Sequence, residues 1–209
     1  MQTVKKQLAL PHRADRRQTK TREHVLSTAA EILLRDGYAR LTMERVATES
    51  GVAKTTLYRR WPTKATLCMD LYLDVARREL QDPDIGDVAS DLKHIVLTVV
   101  RLQTRTVAGP AFLGLIAEAQ VNPESRTAFL AEFAERRREV TRMVLRRAIK
   151  RGELRPDTDV DLVIDAIGGA ATFRLLNGHA PLNKKFADAL VSLVLSGCRA
   201  AQNPQKGAR

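Results

Sequence analysis

The sequence predicts an all-α fold, on three observations. Only 4% of the 209 residues are aromatic, and alternating runs of Val, Ile and Thr are scarce, so little of the chain reads as strand. Apolar residues recur at spacings of three and four, as in Val25, Leu26, Ala29, Ala30 and Leu33. Glycine and proline punctuate these segments, among them Gly37, Gly51, Pro62, Pro83, Gly109, Pro123 and Gly152. About nine helices follow, in a small N-terminal helix-turn-helix domain and a larger helical C-terminal domain. The length suits one compact domain plus a small one. The expected divisions are a basic arm at 1–18, the helix-turn-helix domain at 19–66, the C-terminal domain at 67–201 and a tail at 202–209.

In chain order, residues 1–18 are polar and basic, with Arg13, Arg16 and Arg17 clustered. They read either as a disordered tail or as an arm that follows a phosphate backbone or enters a minor groove. The first helix is predicted over 20–36, with Gly37 closing it. Thr42 is placed to cap the second helix, Leu41 and Val46 have the spacing of a hydrophobic staple, and Glu44 suits the positive end of the helix dipole. Gly51 can take the left-handed conformation that ends this helix. A third helix over 52–60 turns Val52 and Leu57 inward and leaves Lys54, Thr55, Thr56, Tyr58 and Arg59 outside. Hydroxyls and cations on one helix face can bond phosphate oxygens or base edges. Pro62 ends that helix, and Thr63 caps a connecting helix over 63–80.

The turn-rich stretch 81–87 is a joint, followed by a helix over 87–107. Gly109-Pro110 is expected to break it before a short helix over 111–121. A long charged helix over 123–151 starts with Pro123 near its first position and stops at Gly152. Its Arg136-Arg137-Arg138 run, interleaved with glutamates, reads as a solvated face. Two further helices, 159–177 and 184–201, are apolar on more than one side. One chain of this size covers one face of each, so the surplus predicts a four-helix bundle between two subunits. The residues assigned to that interface are Ile164, Ile167, Gly168, Ala171, Leu175, Leu190, Val194 and Gly197.

Charge narrows the function classes. The net charge is +11, and the first 66 residues carry 14 Lys/Arg against 6 Asp/Glu, leaving +8 there and +3 elsewhere. So uneven an excess points to a polyanionic partner for the N-terminal domain. Cys68 and Cys198 have no CxxC spacing and read as free thiols in a reducing cytoplasm. No apolar run reaches the roughly 20 residues of a membrane span, and no secretory h-region precedes the basic residues. A soluble cytoplasmic protein is expected. GxGxxG, Walker A, HExxH and GxSxG are all missing, and His12, His24, His94 and His179 share no ligand spacing. No catalytic residue, metal or cofactor is expected, and the chain does not read as an enzyme.

The string Gly51-Val52-Ala53-Lys54-Thr55-Thr56-Leu57-Tyr58-Arg59-Arg60-Trp61-Pro62-Thr63-Lys64 resembles the signature of the TetR family of transcriptional regulators. Ala53 departs from the more usual Ser, which costs the third helix a side-chain cap worth roughly 1 kcal/mol, and Trp61 replaces the more usual Phe. The resemblance implies a homodimer on a palindromic double-stranded operator, with Lys54, Thr55 and Thr56 near base edges. Thr42, Tyr58, Arg60 and Lys64 would then position phosphates, with Arg59 beside them and Thr21 near the backbone. It also makes the connecting helix a lever between ligand and DNA. The strings 151–159 and 173–182 resemble a C-terminal subtype of the family. A ligand pocket is implied there, with candidate walls Leu97, Val100, Arg101, Phe112, Leu115, Ile116, Phe129, Phe133, Phe173 and Leu176. Such walls suit a small hydrophobic or amphipathic molecule. The expected function is a ligand-released repressor; the alternative is an architectural or broadly binding DNA protein without an effector.

Overall fold

The computed structural model describes residues 13–198. Residues 1–12 of the expected arm and the whole 202–209 tail lie outside them. Residues 13–18, expected as arm, belong instead to the first helix, α1 (Arg13–Asp36); no glycine or proline after Pro11 interrupts it. A 3-10 turn (Tyr38–Arg40) leads to α2 (Met43–Ser50), α3 (Lys54–Arg60) and α4 (Lys64–Glu79). Then come α5 (Val88–Arg105) and α6 (Ala108–Val121). The long helix α7 is built of Pro123–Ala128, a π-helical turn Phe129–Ala134, and Glu135–Lys150, all with helical dihedrals at the joins. α8 (Val160–Asn177) and α9 (Lys184–Cys198) complete nine helices among the described residues, with no strand.

The chain divides into two compact units, Met1–Leu67 and Cys68–Arg209. The 81–87 joint therefore lies inside the second unit. In the first unit Val25, Ala29 and Ile32 of α1, Val46 of α2, Leu57 of α3 and the linking Leu41 and Trp61 are all buried. His24 Nε2 lies 3.0 Å from the Ser50 carbonyl, joining α1 to the end of α2. Arg35 pairs with Glu49 at 3.0 Å, and Arg45 bridges Asp36 and Glu49. These pairs are exposed, so they align the helices more than they stabilise them.

In the second unit α5 touches α6, α7, α8 and α9. Its Leu92, Ile95 and Val96 share a core with Val144, Leu145 and Ala148 of α7, Val163 and Ile167 of α8, and Val191 and Leu195 of α9. Asp91 is wholly buried. It accepts a hydrogen bond from the Ile85 backbone N–H at 2.8 Å and lies 3.4 Å from Arg147 and 3.5 Å from Arg151. The Asp82 carboxylate takes both ends of the Arg147 guanidinium, at 2.9 and 3.0 Å, which staples the joint to α7.

Two local expectations change. Gly109-Pro110 does not break a helix but lies in the first turn of α6, where proline's missing N–H is not needed. Gly109 is there because the chain doubles back tightly: a Cβ would stand 2.0 Å from the Gln103 carbonyl oxygen. The π turn in α7 left no mark in the residue pattern.

The apolar surplus of α8 and α9 is present, but on a different face from the one assigned. Ile164, Ile167, Ala171 and Leu190 are buried within their own chain, and Leu175 and Val194 are half-buried. Gly168 and Gly197 do face outward. The bare stripe on α8 is Leu162, Ala166, Gly169, Phe173 and Leu176, alternating steps of four and three. With Leu193 of α9 it leaves large side chains exposed: Leu162 at 64%, Phe173 at 61% and Leu193 at 72%.

Candidate nucleic-acid interface

The helix-turn-helix is set by its caps. The Thr42 hydroxyl accepts from the Arg45 N–H at 3.2 Å to start α2, and Gly51 ends it with φ 66° and ψ 12°. α3 starts two residues later than expected. Ala53 stands at its N-cap and makes no side-chain cap bond. Thr63 and Thr66 bond reciprocally, each hydroxyl to the other's backbone N–H at 3.2 Å, and so open α4.

On this frame Lys54, Thr55, Arg59 and Arg60 are exposed, Thr56 is half-buried and Leu57 anchors the helix inside. Thr42 is exposed, and a capping hydroxyl still keeps its proton to donate. The Arg60 guanidinium lies 5.3 Å from the Trp61 ring centre, and the Lys64 ammonium 4.3 Å from that of Tyr38. An open groove runs between α1 and α3, lined by Gln18, Thr21 and Arg22 on one side and Thr56, Arg59 and Arg60 on the other. Gln18 and Arg22 were not among the expected residues; a basic face on the scaffold helix was their only signal.

Tyr58 differs from expectation. It is 39% exposed, and its hydroxyl donates to Glu44 Oε1 at 2.7 Å, so in the free protein the phenol is held by α2. That bond holds the Glu44 carboxyl below its ordinary range and pushes the Tyr58 hydroxyl above its own. The sequence pattern marks Glu44 only as a partner for the helix dipole.

In the second unit a cavity of about 420 Å³ opens among α5, α7 and α8. Ile95, Val96, Val99, Phe129, Ile164, Ile167 and Ala171 give it apolar walls; Gln103, Arg137, Arg138, Thr141 and Asp165 bring polar groups. Of the expected walls, Phe129 alone lines it. Val100, Phe112, Leu115 and Phe133 are buried in the packing, and Leu97 and Ile116 are half-buried. Phe173 and Leu176 lie on the outward stripe of α8, while Arg101 is exposed and pairs with Glu79 at 2.8 Å.

The Arg136–Arg138 run is not a uniform solvated face. Arg136 is exposed, but Arg137 lies 4.0 Å from the Phe112 ring centre, near Tyr72 and Phe133 as well, and donates to the Tyr72 hydroxyl at 3.2 Å. Arg138 pairs with Asp161 and Asp165. Among the described residues no cluster of His, Cys, Asp and Glu could hold a metal, and no helix is long and apolar enough to cross a membrane.

Comparison with known proteins agrees with this anatomy. Residues 25–69 match the model for bacterial regulatory proteins of the tetR family, and residues 82–194 match the tetracyclin repressor-like C-terminal domain. The chain is 33% identical over 175 residues to the DNA-binding transcriptional repressor TetR of Mycobacteroides abscessus, covering 82% of this chain and 90% of that one. It is 29% identical over 180 residues to the uncharacterized HTH-type transcriptional regulator YdeS of Bacillus subtilis, covering 86% and 90%. The crystal structure of the TetR family transcription regulator SCO0332 superposes with a TM-score of 0.74 at 39% identity, covering 85% of this chain and 98% of that one. A helix-turn-helix head with an outward cationic face, an all-helical second unit and matches to both family domains lead to one conclusion: the chain is a DNA-binding transcriptional regulator of the TetR family, not an enzyme.

Proposed function

We propose that the chain is a homodimeric repressor that holds a palindromic operator through α2 and α3 and releases it when a small molecule occupies the second unit. The observation that carries the reading is the outward face of α3 (Lys54, Thr55, Arg59 and Arg60) on a unit with most of the chain's net positive charge. Lys54, Thr55 and Thr56 read base edges or nearby backbone. Thr42, Tyr58, Arg59, Arg60 and Lys64 position phosphates, joined by Thr21 and Arg22 across the groove. Release acts through α4, which begins in one unit and ends in the other. The ligand works only by its different affinity for the DNA-competent and incompetent states.

Dimerisation is supported by the bare stripe Leu162, Ala166, Gly169, Phe173 and Leu176 of α8 together with Leu193 of α9. Alternating steps of four and three are the seam of a helical bundle. Its two small residues allow close approach. A two-fold dimer puts the recognition helices in successive major grooves, with half-site centres about 34–36 Å apart or a multiple of that.

The test pairs sedimentation with fluorescence anisotropy on duplexes selected from a random pool. The expected result is a dimer at micromolar concentration that prefers a symmetric duplex. Lys54→Ala changes the preferred sequence, whereas Lys64→Ala weakens all duplexes alike and lowers the salt slope by about one. Leu193→Asp yields monomers and loses most of the affinity. A single chain at micromolar concentration without preference for any symmetric duplex overturns the proposal; weak preference in a dimer favours the architectural alternative.

A further inference from the structure

The cavity carries chemistry that the apolar walls alone do not explain. Gln103 is 4% exposed, lines the cavity, and both its carboxamide oxygen and nitrogen are buried without a hydrogen-bond partner. Buried polar groups are normally satisfied, and a turn of this side chain toward the cavity would let a ligand's polar group satisfy an amide that is otherwise closed off with nothing to bond. Arg137 lines the same cavity. Its guanidinium rests on the rings of Tyr72, Phe112 and Phe133 and donates to the Tyr72 hydroxyl, and no carboxylate among the described residues pairs with it. The other charges on the wall, Arg138 and Asp165, pair with each other. One positive charge therefore stands without a carboxylate partner on a half-buried, mostly apolar wall, where water screens it less than on the open surface.

We propose that this cavity binds a compact amphipathic carboxylate, its anionic group held by Arg137 and the Gln103 carboxamide and its apolar body against Ile95, Val99, Phe129 and Ile167. The proposal rests on reading the second unit as the effector-binding part and adds the chemical class of the effector. Arginine meets a carboxylate with parallel donors, and the Gln103 amide adds another donor. The volume, at about 30 Å³ per water, holds the bulk of roughly fourteen waters. That accommodates a fused aromatic acid or a medium-chain fatty acid. The π turn Phe129–Ala134 supplies part of the wall, and such turns recur at functional sites.

The test is calorimetric titration of the full chain with 1-naphthoate, its neutral isostere 1-naphthamide and the cation 1-naphthylmethylammonium. Naphthoate should bind tighter than the amide on the order of tenfold or more, the ammonium weakest. Arg137→Met keeps an apolar stem on the rings and should bring the acid and the amide within about twofold, while Arg137→Lys keeps part of the preference. Gln103→Leu should weaken both. Equal binding of acid and amide, no binding of either, preference for the ammonium, or an undiminished acid preference in Arg137→Met overturns the proposal. Operator binding, followed separately by anisotropy, distinguishes the two failures. A chain that binds the acid and keeps its DNA refutes ligand release and leaves the pocket assignment standing. A chain that binds DNA but not the acid refutes the pocket assignment alone.

Discussion

Gln103→Leu should make the protein more stable. The side chain is almost wholly buried, and neither end of its carboxamide has a hydrogen-bond partner. Each buried polar group left unmade costs about 1–3 kcal/mol, and leucine of similar size removes both. Leucine is branched where glutamine is not and does not fill the same space, which offsets part of that saving, so the net gain should be about 1–2 kcal/mol. A chain of this length moves about 2–4 °C in Tm per kcal/mol, so the melting temperature should rise by about 2–8 °C. The assay is thermal and urea unfolding followed by far-UV circular dichroism, with the urea slope unchanged. A lower Tm would refute the reasoning, because it would mean that the amide has partners in the folded protein. Stability gained as ligand affinity is lost is what a binding group held unsatisfied predicts.

Three further predictions come from single contacts. Gly109→Ala places a methyl 2.0 Å from the Gln103 carbonyl, so the turn into α6 must open at a cost of about 1–3 kcal/mol, read as a lower urea midpoint. Asp91→Leu strips the acceptor from the Ile85 N–H and the buried charge from Arg147 and Arg151. It should cost about 3 kcal/mol, and Asp91→Asn, which keeps an acceptor, less; equal losses would refute a role for the charge. The Glu44–Tyr58 bond sets a pH window. Its contribution through the lowered Glu44 is present above the unfolded carboxyl value of about 4.3 and is lost as pH falls through the folded value. Its contribution through the raised Tyr58 is present below about 10 and is lost as pH rises through the folded value. Glu44→Gln should return one of the three tyrosines to ordinary titration in the near-ultraviolet; an identical profile would break the assignment.

The DNA head was legible because single residues with one physical role fix it: Thr42 as a cap, Gly51 at positive φ, Leu57 as the one buried residue of α3. Where a residue has no such role, reading failed locally. Ala53 cannot cap, so only the resemblance, and no capping side chain, marked that α3 waits until Lys54. α8 is apolar around its circumference, so periodicity announced a surplus but not which side is left bare. Half the residues assigned to the interface turn inward, and the outward seam runs through Leu162 and Phe173. The cavity was hardest. Its distinctive residues, Gln103 and Arg137, are types that read as surface, and only tertiary packing brings them to an apolar wall. Arg137 was lost in a run of charges because nothing in one dimension says that Tyr72, Phe112 and Phe133 converge on it.

In the proposed dimer, the exposed stripe of α8 and α9 would tie the regulator's output to its own copy number. Below the dissociation constant of the pair, the population of two-headed molecules grows with the square of chain concentration, so operator occupancy switches on over a narrower span of expression than one head could give. A cell that halves its supply of this chain loses about three quarters of its paired molecules in that regime.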